Sequence, residues 1–214
     1  PEYLTSKWAA NQPLPVTKVQ HHHAHIVSAM AENGIEDAVC GIAFDGTGYG
    51  EDGAIWGGEV LLSNLETFER FANIAYFPLP GGAAAISHPL RCAYGALWAF
   101  DLLEHPGADR CLQKLGEMSQ TLETMIERGI NCPQTSSMGR LFDAASALLG
   151  LCEEPRYEGE GAVLLEAAIQ EPAPGEPAGD ERYRIEIIKN TATETSTARD
   201  TSVLLADPAQ LFEA

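Results

Sequence analysis

The sequence predicts a mixed α/β (α+β) protein, and three observations carry that class. Short apolar and β-branched runs of strand length alternate with stretches of helical periodicity, which excludes a helical bundle. A glycine-rich segment, DGTGYGEDG at 45–53, joins two strand-length runs as a hairpin would. The composition is 45% hydrophobic and 21% charged, as in a globular core, and no apolar run approaches the ~18 residues of a membrane span.

Taken in order, VTKVQ (16–20) predicts a strand that feeds directly into a helix, HHHAHIVSAMAEN (21–33), stopped by Gly34. AVCGIAF (38–44) and AIWGGEVLLS (54–63) are the two strands of the hairpin. FERFANIAYFPLPGG is broken by Pro78, Pro80, Gly81 and Gly82, after which HPLRCAYGALWAFDLL (88–103) returns to helical periodicity with Pro89 in its first turn. Ala108 to Arg128 reads as one helix, 136–152 as another capped by Ser136 or Ser137, and 158–170 as a third. EPAPGEPAGDE (171–181) has the composition of an acidic linker, RYRIEIIK (182–189) alternates as a strand, and NTATETSTARD (190–200) is polar and exposed. This divides the chain into 1–100, with the histidine helix and the hairpin, a helical region at 101–170, and a tail at 171–214. No internal repeat is visible. The chain begins without methionine, and Asp207 and Pro208 open a helix six residues before the end, so a fragment of a longer protein is expected.

Charge and cysteines narrow the function. Thirteen basic against 31 acidic side chains give a net charge of −18, which repels a phosphate backbone and argues against nucleic acid as a partner. The five cysteines, Cys40, Cys92, Cys111, Cys132 and Cys152, are odd in number and never form a CxxC pair, so neither a disulfide framework nor a zinc ribbon is indicated. With no secretion signal in PEYLTSKWAANQPLP, a cytoplasmic protein is expected.

Three places carry candidate chemistry. In QHHHAH (20–25) the four-residue spacing puts His21 and His25 on one helix face, close enough to share an ion, and His22 and His25 are spaced to do the same. A partly solvated histidine cluster is the plain alternative. Two imidazoles seldom hold a divalent ion alone, and Asp45, at the end of an apolar strand, is the candidate carboxylate. Gly46, Gly48 and Gly50 would let backbone N–H groups turn inward as an anion-binding nest, although Asp-Gly is also the commonest hairpin turn. An aspartic-protease turn is excluded, because neither an Asp-Thr-Gly order nor a second copy is present. In GRLFDAASALLG, Leu141, Phe142, Ala145, Leu148 and Leu149 form the apolar face. That leaves Asp143 to accept bonds from ribose hydroxyls or simply to be solvated, while Gly159 and Gly161 would allow a ligand close to the backbone.

Together PEYLTSKWA, VQHHHAHIVSAMAENG, FDGTGYGEDGAIWGGE, FPLPGG, TSSMGRLFDAASALLGLC and YEGEGAVLLEA resemble the C-terminal, carbamoyl-transferring part of the hydrogenase maturation factor HypF, from Pro1 to about Ala168 and again at DPAQLFEA. The resemblance implies an actin/sugar-kinase-like (ribonuclease H-like) fold, left incomplete here. It implies a carbamoyltransferase that receives carbamoyl-adenylate, made from carbamoyl phosphate and ATP by an upstream domain of the same chain, and passes the carbamoyl group to the C-terminal cysteine of HypE. It further implies a divalent metal, zinc or iron, on His21, His25 and Asp45, and nucleotide contacts at Gly46, Thr47, Gly48, Asp143 and Gly159. The chain departs from the family after FPLPGG, where Ala83–Pro89 stands in place of Asp-Ala-Ala-Ile-Arg-Glu-Pro, and the family's LSGGVFQN stretch and last metal-binding aspartate lie beyond Ala214. By itself this fragment is expected not to complete the metal or adenine site. A non-catalytic actin-like interaction module or a diverged O-carbamoyltransferase is the rival reading.

Overall fold

A seven-stranded mixed sheet organises the chain in the computed structural model, which describes residues 4–169, 186–189 and 204–209. Its centre is an antiparallel meander of β1 (Val39–Tyr49), β2 (Ile55–Ser63) and β3 (Phe68–Ile74). Two short strands, β4 (Phe77–Pro78) and β5 (Gln134–Thr135), extend the sheet beyond β2, with β5 parallel to it at Ile55 and Thr135. On the far side, β7 (Leu204–Asp207) runs parallel to β3, and β6 (Glu186–Lys189) pairs antiparallel with β7.

The helices are α1 (Leu4–Ala10), α2 (His21–Glu32), α3 (Ala83–Ser87), α4 (Pro89–Ala99), α5 (Asp109–Leu115), α6 (Met118–Glu127), α7 (Met138–Leu148) and α8 (Glu160–Ala168). Two apolar clusters hold them to the sheet. Ile26 and Met30 of α2 pack on Ala43 and Leu61, and a Cβ at Gly41 would lie 2.5 Å from Ile26, so the bare backbone there admits the helix. The larger cluster joins α4 and α7 through Cys92, Ala93, Ala96, Leu97, Leu141, Ala144 and Ala147, with Phe77 and Leu79 fully buried beneath them. Each fully buried large side chain contributes about 1.5–3 kcal/mol.

The hairpin, α4 with Pro89 in its first turn, α7 and α8 lie where the sequence puts them. Gly34, at φ 64°, ends α2 in a Schellman arrangement, with Ile35 N–H donating to the Met30 carbonyl and Gly34 N–H to that of Ala31. Ser137, rather than Ser136, caps α7, its Oγ accepting from Arg140 N–H. Asp207 Oδ1 accepts from the Ala209 N–H, as a cap at this point requires.

Two expectations fail. Residues 16–20 form no strand: no ladder partner lies beside them among the described residues, Val16 and Val19 are exposed, and β-branched side chains favour strands only when there is a sheet to pack on. The single helix expected over 108–128 is two, because Gly116 sits at φ 52° and breaks it between α5 and α6. Strands β3, β4, β5 and β7 and the short α3 were not expected. The linker at 171–181 and the polar stretch at 190–200 lie outside the described residues. Among the described residues no helix is long and apolar enough to cross a membrane.

Candidate functional site

The site begins at the N-terminus of α2. Gln20 stays extended and caps the helix: its Oε1 accepts from the N–H groups of His22 at 2.6 Å and His23 at 3.0 Å. Its amide nitrogen donates to the Tyr49 carbonyl at 3.0 Å and faces Nδ1 of His22 at 3.2 Å. With the amide oxygen fixed by two N–H donors, Nδ1 of His22 must accept, so the ring proton lies on Nε2.

Asp45 comes from β1. The ladder with β2 shifts register between Phe44 and Gly48, so Asp45, Gly46 and Thr47 bulge out of the sheet toward α2. Oδ2 of Asp45 lies 2.8 Å from His21 Nε2, 3.7 Å from His22 Nε2 and 3.9 Å from His25 Nε2, and the His21 and His25 nitrogens are 3.1 Å apart. Tetrahedral ligand atoms at zinc bond lengths stand about 3.3 Å apart, and the His21, His25 and Asp45 separations of 2.8, 3.1 and 3.9 Å straddle that value. The donor set of two imidazoles and one carboxylate therefore fits a divalent ion. His21, His22 and Asp45 also each offer a ligand atom within 4.8 Å of one another. The Gln20 contact nonetheless leaves His22 presenting Nε2–H to the cluster, as a donor. That nitrogen is buried without a hydrogen-bond partner. His23, the fourth imidazole, turns away to the Asn64 carbonyl at 2.9 Å and packs on Phe68.

The local field keeps His22 neutral and Asp45 ionised. Burial, then the neighbouring His21, push the His22 pKa down to about 4, against the opposing pull of Asp45. Burial alone would raise the Asp45 pKa, but hydrogen bonds from His21 and the Gly46 N–H, with the charges of His21 and His22, hold it below the usual range. The α2 N-terminus favours the same charge state.

Behind the cluster, Trp56 lies 6.0 Å from the His22 ring, and the Arg70 guanidinium stacks 3.8 Å over the Trp56 ring. Arg70 pairs with the fully buried Glu59, which also accepts from the Gly57 and Gly58 N–H groups and the Ser136 hydroxyl. Ser137 extends this brace, its hydroxyl 2.8 Å from both the Asp45 and Gly46 carbonyls.

The glycine loop is not the nest that its pattern suggests. Gly46, Gly48 and Gly50 are absent from the left-handed residues, whereas Gly53, at φ 84°, turns the hairpin. Gly48 instead makes room: a Cβ there would lie 2.2 Å from His22 Cε1. Thr47 is exposed. Beside Asp45 opens a cleft of about 310 Å³ lined by Gly46, Arg140, Asp143, Glu158 and Gly159. The cleft thus gathers Asp45, Gly46, Asp143 and Gly159, while His25 lines a neighbouring groove that also reaches Asp45. Asp143 is buried, not solvated, and its carboxylate is 2.8 Å from Arg140 Nε. Burial raises its pKa against the pull of Arg140. Gly159 caps α8 at φ 85°, a conformation that favours glycine. Sequence reasoning missed Arg140 and the donor role of His22; the adjacency of QHHH was the only signal for the latter.

Comparison with known proteins identifies the family to which the chain is similar. Residues 41–210 match the family model described as "Carbamoyltransferase, Kae1-like Domain, second subdomain", and residues 1–32 match "HypF Kae1-like domain". Carbamoyltransferase HypF of Synechocystis sp. is 42% identical over 190 residues, covering 79% of this chain and 24% of that protein. A carbamoyltransferase HypF homolog of Cupriavidus necator is 41% identical over 165 residues, covering 77% of this chain and 42% of its own length. The crystal structure of full-length HypF in the phosphate- and nucleotide-bound form superposes with a TM-score of 0.83 at 37% identity, over 99% of this chain and 31% of that one. The chain thus spans about a quarter of the Synechocystis relative. The mixed sheet and its flanking helices are consistent with the actin/ribonuclease H-like fold. On the strength of these matches, the chain belongs to the HypF carbamoyltransferase family, within its Kae1-like domain.

Proposed function

We propose that this chain is part of an enzyme that transfers a carbamoyl group from carbamoyl-adenylate, made from carbamoyl phosphate and ATP, to the C-terminal cysteine thiol of HypE during [NiFe]-hydrogenase maturation. The observation that carries the reading is the meeting of His21, His25 and Asp45, the last of which also lines a cleft with Asp143 and the α8 N-cap Gly159.

His21, His25 and Asp45 would hold a divalent zinc or iron ion, which when bound supplies Lewis acidity toward an oxygen of the mixed anhydride. Asp143 and Gly159 contact the nucleotide, and Gly46 to Gly48 border the reacting end. His22 offers its buried Nε2–H to an oxygen in the cluster, which would satisfy a donor that otherwise has no partner. In the transfer, the cysteine sulfur bonds to the carbamoyl carbon, the anhydride C–O bond breaks, AMP leaves with the electron pair, and the thiol proton passes to solvent. The segment Ala83–His88 is not among the residues lining either cleft beside Asp45.

The test is a mass measurement on HypE after incubation with the full-length protein, carbamoyl phosphate and ATP. Gain of one carbamoyl group at the C-terminal cysteine supports the reading. An acceptor that binds but stays unmodified would make this a non-catalytic interaction module.

A further inference from the structure

Arg140 is 2% exposed, in the first turn of α7, and its side chain is incompletely partnered. Its Nε and Nη1 are buried without a hydrogen-bond acceptor. Nε does lie 2.8 Å from Asp143 Oδ2, but the contact is close without being directed along the N–H, so it is an ion pair and not a hydrogen bond. A buried arginine whose role is purely structural normally meets its carboxylate as a two-pronged fork, with the remaining donors satisfied. Here Nη1 has no acceptor, and Nε has only the undirected contact with Asp143.

Position says what they await. Arg140 lines the cleft beside Asp45 and is the only basic residue among those lining it, in the company of Asp45, Asp143 and Glu158. Its Nη2 is 3.8 Å from the point a Cβ on Gly46 would occupy, and the Gly139 Cβ position lies 2.7 Å from Gly46 Cα. Two glycines therefore bring the arginine against the Asp45 loop, where the Glu158 carboxylate, 3.6 Å from the same point on Gly46, is its neighbour. Three carboxylates would repel an anion, and only this guanidinium offsets them from within the cleft wall. A neutral sugar or amide would need no such cation.

We propose that Arg140 is a substrate-binding residue that holds the phosphate of an adenylate between the Asp45 loop and the α8 N-terminus. This rests on the carbamoyl-adenylate reading above and adds to it the group that recognises the anion. Asp143 then has two tasks, orienting the guanidinium through Nε and facing the nucleotide.

The experiment compares AMP with adenosine, which lacks the phosphate, as calorimetric ligands of the full-length protein. In Arg140→Ala the preference for AMP over adenosine is expected to fall by about 10- to 100-fold, the loss of a charged hydrogen bond, while adenosine binding is retained. A nucleotide site elsewhere in the chain is untouched by the change and enters both titrations as a constant. An unchanged preference, or an equal loss for both ligands, would overturn the proposal, the second outcome marking a merely structural arginine. Should Arg140→Ala fail to fold, the wild-type protein crystallised with AMP decides: a phosphate oxygen about 3 Å from a guanidinium nitrogen of Arg140 supports it, and a phosphate elsewhere overturns it. Failure of wild-type carbamoyl transfer would refute the parent reading while leaving the AMP preference measurable on its own.

Discussion

Nε2 of His21 stands 2.8 Å from Oδ2 of Asp45, across 24 residues of sequence, and this contact joins the first turn of α2 to the bulge in β1. It exists because Gln20 fixes where the helix starts and the bulge swings the carboxylate off the sheet. Each support of that contact can be removed separately.

Gly48 is the first. A methyl group there would meet His22 Cε1 at 2.2 Å and Nε2 at 2.5 Å, so Gly48→Ala must displace the buried His22 ring. Overpacking of this kind costs about 1–3 kcal/mol. Denaturant melts are expected to show that loss, together with weaker metal retention in the full-length protein; unchanged retention would show that the His22 ring is free to move.

Ser137 is the second. Its hydroxyl caps α7 and binds the carbonyls of Asp45 and Gly46. Ser137→Ala is expected to cost about 1–2 kcal/mol, at the upper end for a lost cap, because two carbonyl contacts go with it. Chemical denaturation measures the cost, and Ser137→Thr, which keeps the hydroxyl, should recover most of it.

The buried carboxylate behind the site carries the largest expected effect. Glu59 is fully buried and joined to Arg70, Ser136 and two backbone N–H groups. Glu59→Ala leaves Arg70 without its buried partner and is expected to destabilise by about 3–5 kcal/mol, which a urea titration would read directly.

Asp52 sets a pH dependence. Burial alone would raise its pKa, but hydrogen bonds from the Tyr76 hydroxyl, the Ala54 N–H and the Trp56 indole, with the charge of Arg70, bring it below the ordinary value. A carboxylate depressed in the folded state stabilises fully above its unfolded pKa of about 3.9, and that stability is lost as pH falls through the folded value. The difference in thermal midpoint between wild type and Asp52→Asn should therefore be present near neutrality and shrink below about pH 4.

Much of this was legible in local sequence. The i, i+4 spacing of His21 and His25 is a local pattern, as are the Gly34 stop and the Ser137 cap. Asp45, by contrast, does not end its strand as expected but sits in a bulge of β1, which runs on to Tyr49 because Gly48 and Tyr49 pair again with β2. Strand β3 was not legible, because FERFANI carries Glu69, Arg70 and Asn73, and Arg70 is accommodated by Glu59, Asp52, Trp56 and Tyr76, none of them next to it in sequence. The two-residue strands β4 and β5 are defined by each other and by Ile55. The glycine loop misled for a related reason: Gly48 answers to the His22 ring and Gly46 to Arg140 and Glu158, tertiary neighbours, while only Gly50 and Gly53 serve the turn. Arg140 stayed invisible because a single arginine on a helix is ordinarily solvated, and only burial marks it.

The most direct test is the metal content of the full-length protein carrying both His21→Ala and His25→Ala, measured beside wild type by elemental analysis with circular dichroism as the folding control. Loss of the bound ion with the helix intact is the expected result. A folded double variant that keeps the ion at wild-type stoichiometry would contradict the account.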